Sequence, residues 1–224
     1  MGSSVISFEF DKENHRYIVP GEFVWSTSDV ISMNGMCNMG SVPQKVLDNA
    51  SWRGDQLHRS VELFELGTLD VSSVDESILP YFRAYLKFRE EYEFQPIPPY
   101  ETPTVYRHQG TEILIGATID LRGLVKGVPC IVDLKSCFNY TGAARKQLHL
   151  RWRLQLQSYL EATEADDQFM EALESPLGKI IVHCHKDASY NAYDFSLCDD
   201  SHLWDSAIRM AQARLSNGFK VPNK

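Results

Sequence analysis

The chain has 224 residues, 43% hydrophobic and 23% charged, with 13 Gly and 10 Pro. These values describe a globular protein and exclude collagen-like, coiled-coil and disordered classes. Asp and Glu number 30 against 22 Lys and Arg, a net charge of −8, so nothing draws the whole molecule toward nucleic acid and any such binding needs clustered cations. No run of about 18 apolar residues occurs, so no membrane partner is expected. Residues 1–13 carry acids and lack the apolar stretch of a secretory signal. Cys37, Cys130, Cys137, Cys184 and Cys198 form no CxxC pair. That fits reduced thiols in a cytoplasmic protein and predicts neither a cysteine-held zinc nor an iron–sulfur cluster.

In chain order, Ser7–Tyr17 and Glu22–Ser26 read as two arms of a β-hairpin about Pro20-Gly21. Ser26-Thr27-Ser28-Asp29 is a cap-like cluster before Val30-Ile31. Gly35–Val42 reads as a loop. Pro43–Leu66 is helical, with Leu57, Val61 and Phe64 on one stripe, and Ile78–Phe94 is a second helix ended by Gln95–Pro99. The period then changes to two. Thr104–His108, Ile113–Leu124 and Pro129–Lys135 read as strands of an antiparallel meander. Arg145–Ala162 returns to helix, Ile180–His185 and Ala192–Phe195 form a late hairpin, and Leu203–Leu215 closes as a helix. This order predicts one α/β domain of the α+β kind, a central mixed sheet flanked by helices. Its parts would be an N-terminal extension (1–50), a core (51–195) and a C-terminal helix (199–216).

The segment from Gly116 to Lys135 carries the chemistry. Residues i and i+2 of a strand share a face, so Asp133 and Lys135 point to one side. With Lys126-Gly127 as a two-residue hairpin loop, Asp120 falls opposite Asp133, their Cβ atoms about 4.5–5.5 Å apart. Like charges at that spacing destabilise a sheet unless something offsets them. A hard divalent cation, Mg²⁺ or Mn²⁺, would do so, and Lys135 beside it could orient a water or stabilise developing negative charge. A lone Asp-x-Lys is more often a surface charge pair; the matched Asp120 is what raises it above that.

Flanking residues extend the pattern. His58 borders the buried stripe of its helix, with Glu62 one turn on, and is a candidate third ligand. Gln155 and Tyr159 sit at i and i+4, with Trp152 continuing the face. Arg145, Lys146, Arg151 and Arg153 form the dense cationic stretch, suited to phosphates if it is more than a solvated helix face. His183-Cys184-His185 offers two histidines on one strand face, which reads better as packing than as a soft-metal site.

Taken together, Arg53-Gly54-x-x-x-His58-x-x-x-Glu62, Gly116-x-x-x-Asp120, Asp133-x-Lys135 and Gln155-x-x-x-Tyr159 resemble the RecB-like exonucleases of the PD-(D/E)XK nuclease superfamily. The opening Phe10-Asp-Lys-Glu-Asn-His15-Arg-Tyr17 resembles stand-alone phage and prophage members. The resemblance spans roughly Phe8 to Phe195 and implies a restriction-endonuclease-like core and a Mg²⁺- or Mn²⁺-dependent exonuclease working on linear DNA ends, single- or double-stranded, in recombination, replication or repair of a mobile element. A structure-specific or nicking endonuclease and a non-catalytic DNA-end-binding module share the same motifs. The resemblance implies His58, Asp120, Asp133 and the Leu134 carbonyl as metal ligands, Lys135 as the residue positioning water, and Gln155 and Tyr159 as support. Arg53, Arg145, Lys146, Arg151 and Arg153 would meet DNA. A homo-oligomer and a single-strand-annealing or recombinase partner are compatible with such a role. The chain departs from the family in using Asp133 where many members carry Glu, and in lacking the four-cysteine cluster of some relatives.

Overall fold

The computed structural model describes residues 6–36, 42–137, 142–166 and 177–220. Among the described residues, ten strands and five α-helices follow one another as β1 (Glu9–Asp11), β2 (Arg16–Ile18), β3 (Val24–Ser26), α1 (Thr27–Met33), α2 (Gln44–Glu65), α3 (Leu79–Glu91), β4 (Phe94–Ile97), β5 (Thr102–Arg107), β6 (Leu114–Ile119), β7 (Leu121–Val125), β8 (Val128–Lys135), α4 (Gly142–Glu164), β9 (Gly178–Cys184), β10 (Tyr190–Asp194) and α5 (Ser201–Ser216). The chain is mixed α/β, as its patterning predicts. A five-stranded sheet has the order β10-β9-β8-β7-β4, a three-stranded sheet β3-β6-β5, and β1 pairs with β2. Pairing is antiparallel except for β8 with β9 and β3 with β6.

The five-stranded sheet is buried on both faces. Cys130, Val132 and Leu134 of β8 and Ile180, Val182 and Cys184 of β9 meet Leu57, Val61, Phe82, Tyr85 and Phe88 of α2 and α3. Ile131 and Ile181 turn the other way, toward Trp152, Leu156 and Tyr159 of α4 and Trp204 and Ile208 of α5. Strict alternation therefore sends Asp133 and Lys135 to the α4 side. A central strand buried on both faces reads as the near-continuous apolar run Val128–Leu134.

A chain of buried hydroxyls fixes α4 over the strands. Thr27 Oγ1 donates to the Gly116 carbonyl (3.2 Å) and contacts Ser158 Oγ (2.7 Å); Ser158 meets the Tyr106 hydroxyl (3.0 Å), which accepts from Trp204 Nε1 (3.1 Å). Each hydroxyl has one proton, so the donors run one way, from Trp204 through Tyr106, Ser158 and Thr27 to Gly116. Ser26 caps α1 in a full capping box, its Oγ accepting from Asp29 N and its own N–H donating to Asp29 Oδ2, both 3.1 Å.

Three boundaries differ from the sequence reading. The β1–β2 hairpin closes at Lys12–His15, where Asp11 accepts from Asn14 N (3.1 Å) and Nδ2 (2.8 Å) in a side-chain-built turn, and the expected turn at Pro20-Gly21 is present but carries a single antiparallel bridge, Val19↔Glu22. Val24–Ser26 then joins β6 in parallel. The second helix stops at Glu91, and Phe94–Ile97 becomes an edge strand that tolerates Pro96. Ile113–Leu124 is not one strand: β6 ends at Ile119, β7 begins at Leu121, and the two lie in different sheets joined at Asp120. The Lys126-Gly127 loop behaves as expected, with φ of 50° and 80° and the register Leu121↔Val132 through Val125↔Val128. The expected loop at Gly35–Val42 lies largely outside the described residues.

Glu161, on α4, is pushed up to about 7 by burial, with the nearby Glu164 and Asp205 adding to it and a Gln157 hydrogen bond opposing. The folded state therefore holds this proton more tightly than the unfolded chain. Its stabilising contribution is complete below the ordinary value of 4.5 and is lost as pH rises through about 7. Glu161→Gln is expected to gain about 1–2 kcal/mol over the parent at pH of about 8 and nothing at about 4, read from urea midpoints at the two pH values.

Candidate functional site

Asp120 occupies the step between the two sheets and is 4% exposed. Its Oδ2 accepts from Leu134 N (2.8 Å) and lies 3.6 Å from His58 Nδ1. His58, one turn into the buried part of α2, also has Nδ1 2.8 Å from Glu101 Oε1 and Nε2 3.2 Å from the Leu134 carbonyl. Both ring nitrogens face acceptors, so both carry protons. Burial pulls the imidazole down, but Asp120 and Glu101 outweigh it and hold it up at about 10. Asp120 is raised above the ordinary carboxylate range by burial, which His58 partly offsets.

Asp133 is fully buried beside this group. Lys135 Nζ forms an ion pair with its Oδ2 at 2.6 Å, while its Oδ1 has no hydrogen-bond partner among the described residues. Burial raises it to about 6, against the pull of Lys135 and with Asp120 adding to the rise. The expected apposition is thus approached: the β7–β8 register runs to Leu121↔Val132, and Asp120 and Asp133 follow as the next pair without being bonded.

These groups lie at the foot of a cleft of 1180 Å³ lined by Asp120, Leu134 and Lys135, by His58 and Arg53 of α2, by Arg151, Gln155 and Tyr159 of α4, and by Phe10, Lys12 and His15 of the β1–β2 hairpin. Gln155 Nε2 donates to the Tyr159 hydroxyl (2.7 Å). Burial, then Asp120 and Asp133, push the Tyr159 phenol far up, so it stays neutral. Arg53 Nε donates to the Ser136 carbonyl (2.9 Å) while its guanidinium lies over the Tyr81 ring. Glu62 also reaches the cleft, paired with Arg59 at 2.6 Å.

The donor set suits a hard divalent cation. His58, Glu101 and Asp120 each offer a ligand atom, all within 4.8 Å of one another, whereas the Leu134 carbonyl, expected as a further ligand, meets the opposite ring nitrogen of His58. One imidazole among oxygens is a combination that Mg²⁺ and Mn²⁺ accept. Asp133 Oδ1, without a hydrogen-bond partner among the described residues, leaves part of that carboxylate's charge unmet beside them. Asp133 itself, expected as a ligand, lies outside the three-residue cluster, behind the Lys135 ammonium. Glu101 takes the third place instead. No sequence pattern points to it; it lies in the loop after Pro98-Pro99, where it adopts φ of 48°.

The expected DNA-contacting stretch divides. Arg151 faces the cleft. Arg153, two residues on, points away and pairs with the buried Asp200, its Nε 3.1 Å from Oδ2. Arg145 packs over the Tyr193 ring outside the cleft, and Lys146 is exposed there. Residues two apart on a helix do not share a face. His183, from the strand-face pair, donates to the Cys137 carbonyl (2.6 Å), and its ring lies 4.3 Å from that of His185. These two histidines are thus satisfied within the sheet face. The four described cysteines are free thiols. Among the described residues no helix is long and apolar enough to cross a membrane.

No family model and no curated protein matches the chain. Among solved structures, the chain is similar to one titled "Crystal structure of SSO0001", with a TM-score of 0.43 and 15% identity over 92% of this chain and 82% of that one.

Asp120→Asn keeps an acceptor for Leu134 N while removing the charge. Saturating Mg²⁺ or Mn²⁺, at about 100 Kd, is expected to stabilise the parent by about 2.7 kcal/mol and the variant hardly at all, measured by thermal melts with and without chelator. Arg151→Ala is expected to weaken DNA binding and lower its salt slope by about 1. Arg153→Ala should leave that slope unchanged and instead cost about 3 kcal/mol or more in urea unfolding, because Asp200 loses its partner.

Proposed function

We propose that this chain is a divalent-metal-dependent DNA nuclease of the RecB-like kind, hydrolysing phosphodiester bonds from DNA ends. The observation that carries the reading is the convergence of His58, Glu101 and Asp120, with the Lys135–Asp133 ion pair alongside, in an open cleft. Such a concentration of buried acid is costly to a fold that does not use it.

Mg²⁺ or Mn²⁺ would be held by Asp120, Glu101 and His58 Nδ1, whose proton it would displace; when bound, it would neutralise phosphate charge and lower the pKa of water. The chain's own groups do the rest. Lys135, 21% exposed at its side chain, carries three donors at the cleft wall and orients a water or a phosphate oxygen as charge develops. The water oxygen attacks phosphorus, the P–O3′ bond breaks, and the water's proton ends on the 3′-oxygen. Arg53 and Arg151 hold flanking phosphates. Neutral Tyr159, tied to Gln155, offers hydrogen bonds without adding charge. Asp133 pins Lys135 from below, so the ammonium faces the cleft rather than drifting into solvent.

End-labelled linear DNA and circular DNA, each with Mg²⁺, Mn²⁺ or chelator, test the reading. Expected is loss of label from linear DNA with either metal, none in chelator, and sparing of circles. Lys135→Ala should slow cleavage by about 10²-fold or more in a variant that still unfolds cooperatively, though at a lower temperature because the buried Asp133 loses its cation. Equal DNA binding in chelator with no turnover on adding metal would make the chain a binding module instead.

A further inference from the structure

A glycine inside a helix needs a reason, because it weakens the helix relative to alanine. Among the ten glycines whose surroundings the structure describes, five adopt a positive φ, which side chains disfavour. At four others a Cβ would lie 2.5 Å or closer to another part of the chain, as at Gly116 under the Tyr17 ring, at 2.2 Å. Gly54 has neither reason. It sits in the middle of α2, and a Cβ there would meet nothing within 4 Å.

The empty position faces the cleft. Gly54 and Ala50 line it, on the wall of α2 that carries His58 one turn further in. The buried residues of α2 are Leu57, Ser60 and Val61, so the helix before Leu57 has no core to fill and no packing demand for a missing side chain. Cations flank the gap. Arg53, the preceding residue, is fixed by the Ser136 carbonyl (2.9 Å) and the Tyr81 ring (5.6 Å), and Arg151 faces the cleft from α4.

A glycine retained against helix propensity, with no contact in its own chain to explain it, marks a close approach of the backbone to something that enters from outside. Four residues of helix put Gly54 about 6 Å along the axis from His58, within a nucleotide's reach of a phosphate held at the metal group. Resting on the nuclease reading, we infer that Gly54 is a specificity-determining residue: the bare backbone of α2 there is the surface on which the sugar of the DNA nucleotide next to the reacting phosphate packs. A side chain at 54 would take the space the sugar fills. The contact is one of shape, so it positions the strand without reading its bases.

Gly54→Ala and Gly54→Leu test it, with Asn49→Leu, at an exposed position of the same helix outside the cleft lining, as the control for size. Without DNA, Gly54→Ala is expected to melt roughly 2–4 °C above the parent, and all three variants should respond to Mg²⁺ as the parent does. With labelled linear DNA in Ca²⁺, the Kd is expected to rise by about threefold for Gly54→Ala and about tenfold or more for Gly54→Leu, with Asn49→Leu at the parent value. In cleavage assays KM should rise along the same series while kcat holds. A Gly54→Leu protein that binds DNA as tightly as the parent overturns the inference. So does a Gly54→Ala protein that melts below the parent, since the fold itself would then require the glycine. Digests in Mn²⁺ separate this from the nuclease reading. Binding that falls along the series, with no cleavage by the parent, sinks the nuclease and leaves the contact; cleavage by the parent with an unmoved Kd and KM does the reverse. A parent that binds no DNA sinks both.

Discussion

An ionised carboxylate cannot be buried alone. Moving one out of water without a partner costs far more than a domain's net stability. Asp120 sits where two sheets part, almost wholly covered, and is tolerated because the Leu134 N–H and the His58 ring meet it. That one requirement draws together α2, the loop before β5, the β6–β7 step and the end of β8. His58, Glu101, Asp120 and Leu134 are far apart in sequence, and a single buried charge makes neighbours of them.

The same step explains why the foot of the cleft is open. Had β6 and β7 continued as one flat strand, Asp120 would have paired with Asp133 inside a closed sheet, under α4. The chain instead leaves the three-stranded sheet at Ile119 and enters the five-stranded one at Leu121. The divergence leaves a wedge between the sheets, bounded by α2 on one side and α4 on the other. The hydroxyl chain from Trp204 to Gly116 then keeps α4 from collapsing into it, since each link is buried and has one geometry that satisfies its neighbours.

Much of this was legible in the sequence, and the failures share a cause. The period-two pattern and the Lys126-Gly127 turn fix the β7–β8 register, because a one-residue slip would send Asp133 and Lys135 into the α2–α3 core. Helix α2 and its His58 stripe follow from apolar spacing. What escaped depends on contacts between distant segments. Nothing local marks Glu101, which matters only because His58 lies beside it. The sheet change at Asp120 is hidden within an apolar run that suits either sheet. Asp11 and Asn14 close the first hairpin by a side-chain turn that Pro20-Gly21 outshone as a signal. The cationic stretch divides as helical geometry requires: Arg151 lines the cleft, while Arg153, two residues on, is claimed by the buried Asp200.

On the proposed reading, the charge balance of the cleft also sets the order of events. Three carboxyls, Glu101, Asp120 and Asp133, face one imidazole and one ammonium, in a protein of net charge −8. A phosphate approaching this acidic foot without a cation is repelled, and the few cations on the walls reach only its neighbours. A divalent ion reverses the local sign, so metal and reactive phosphate must raise each other's affinity by the same factor.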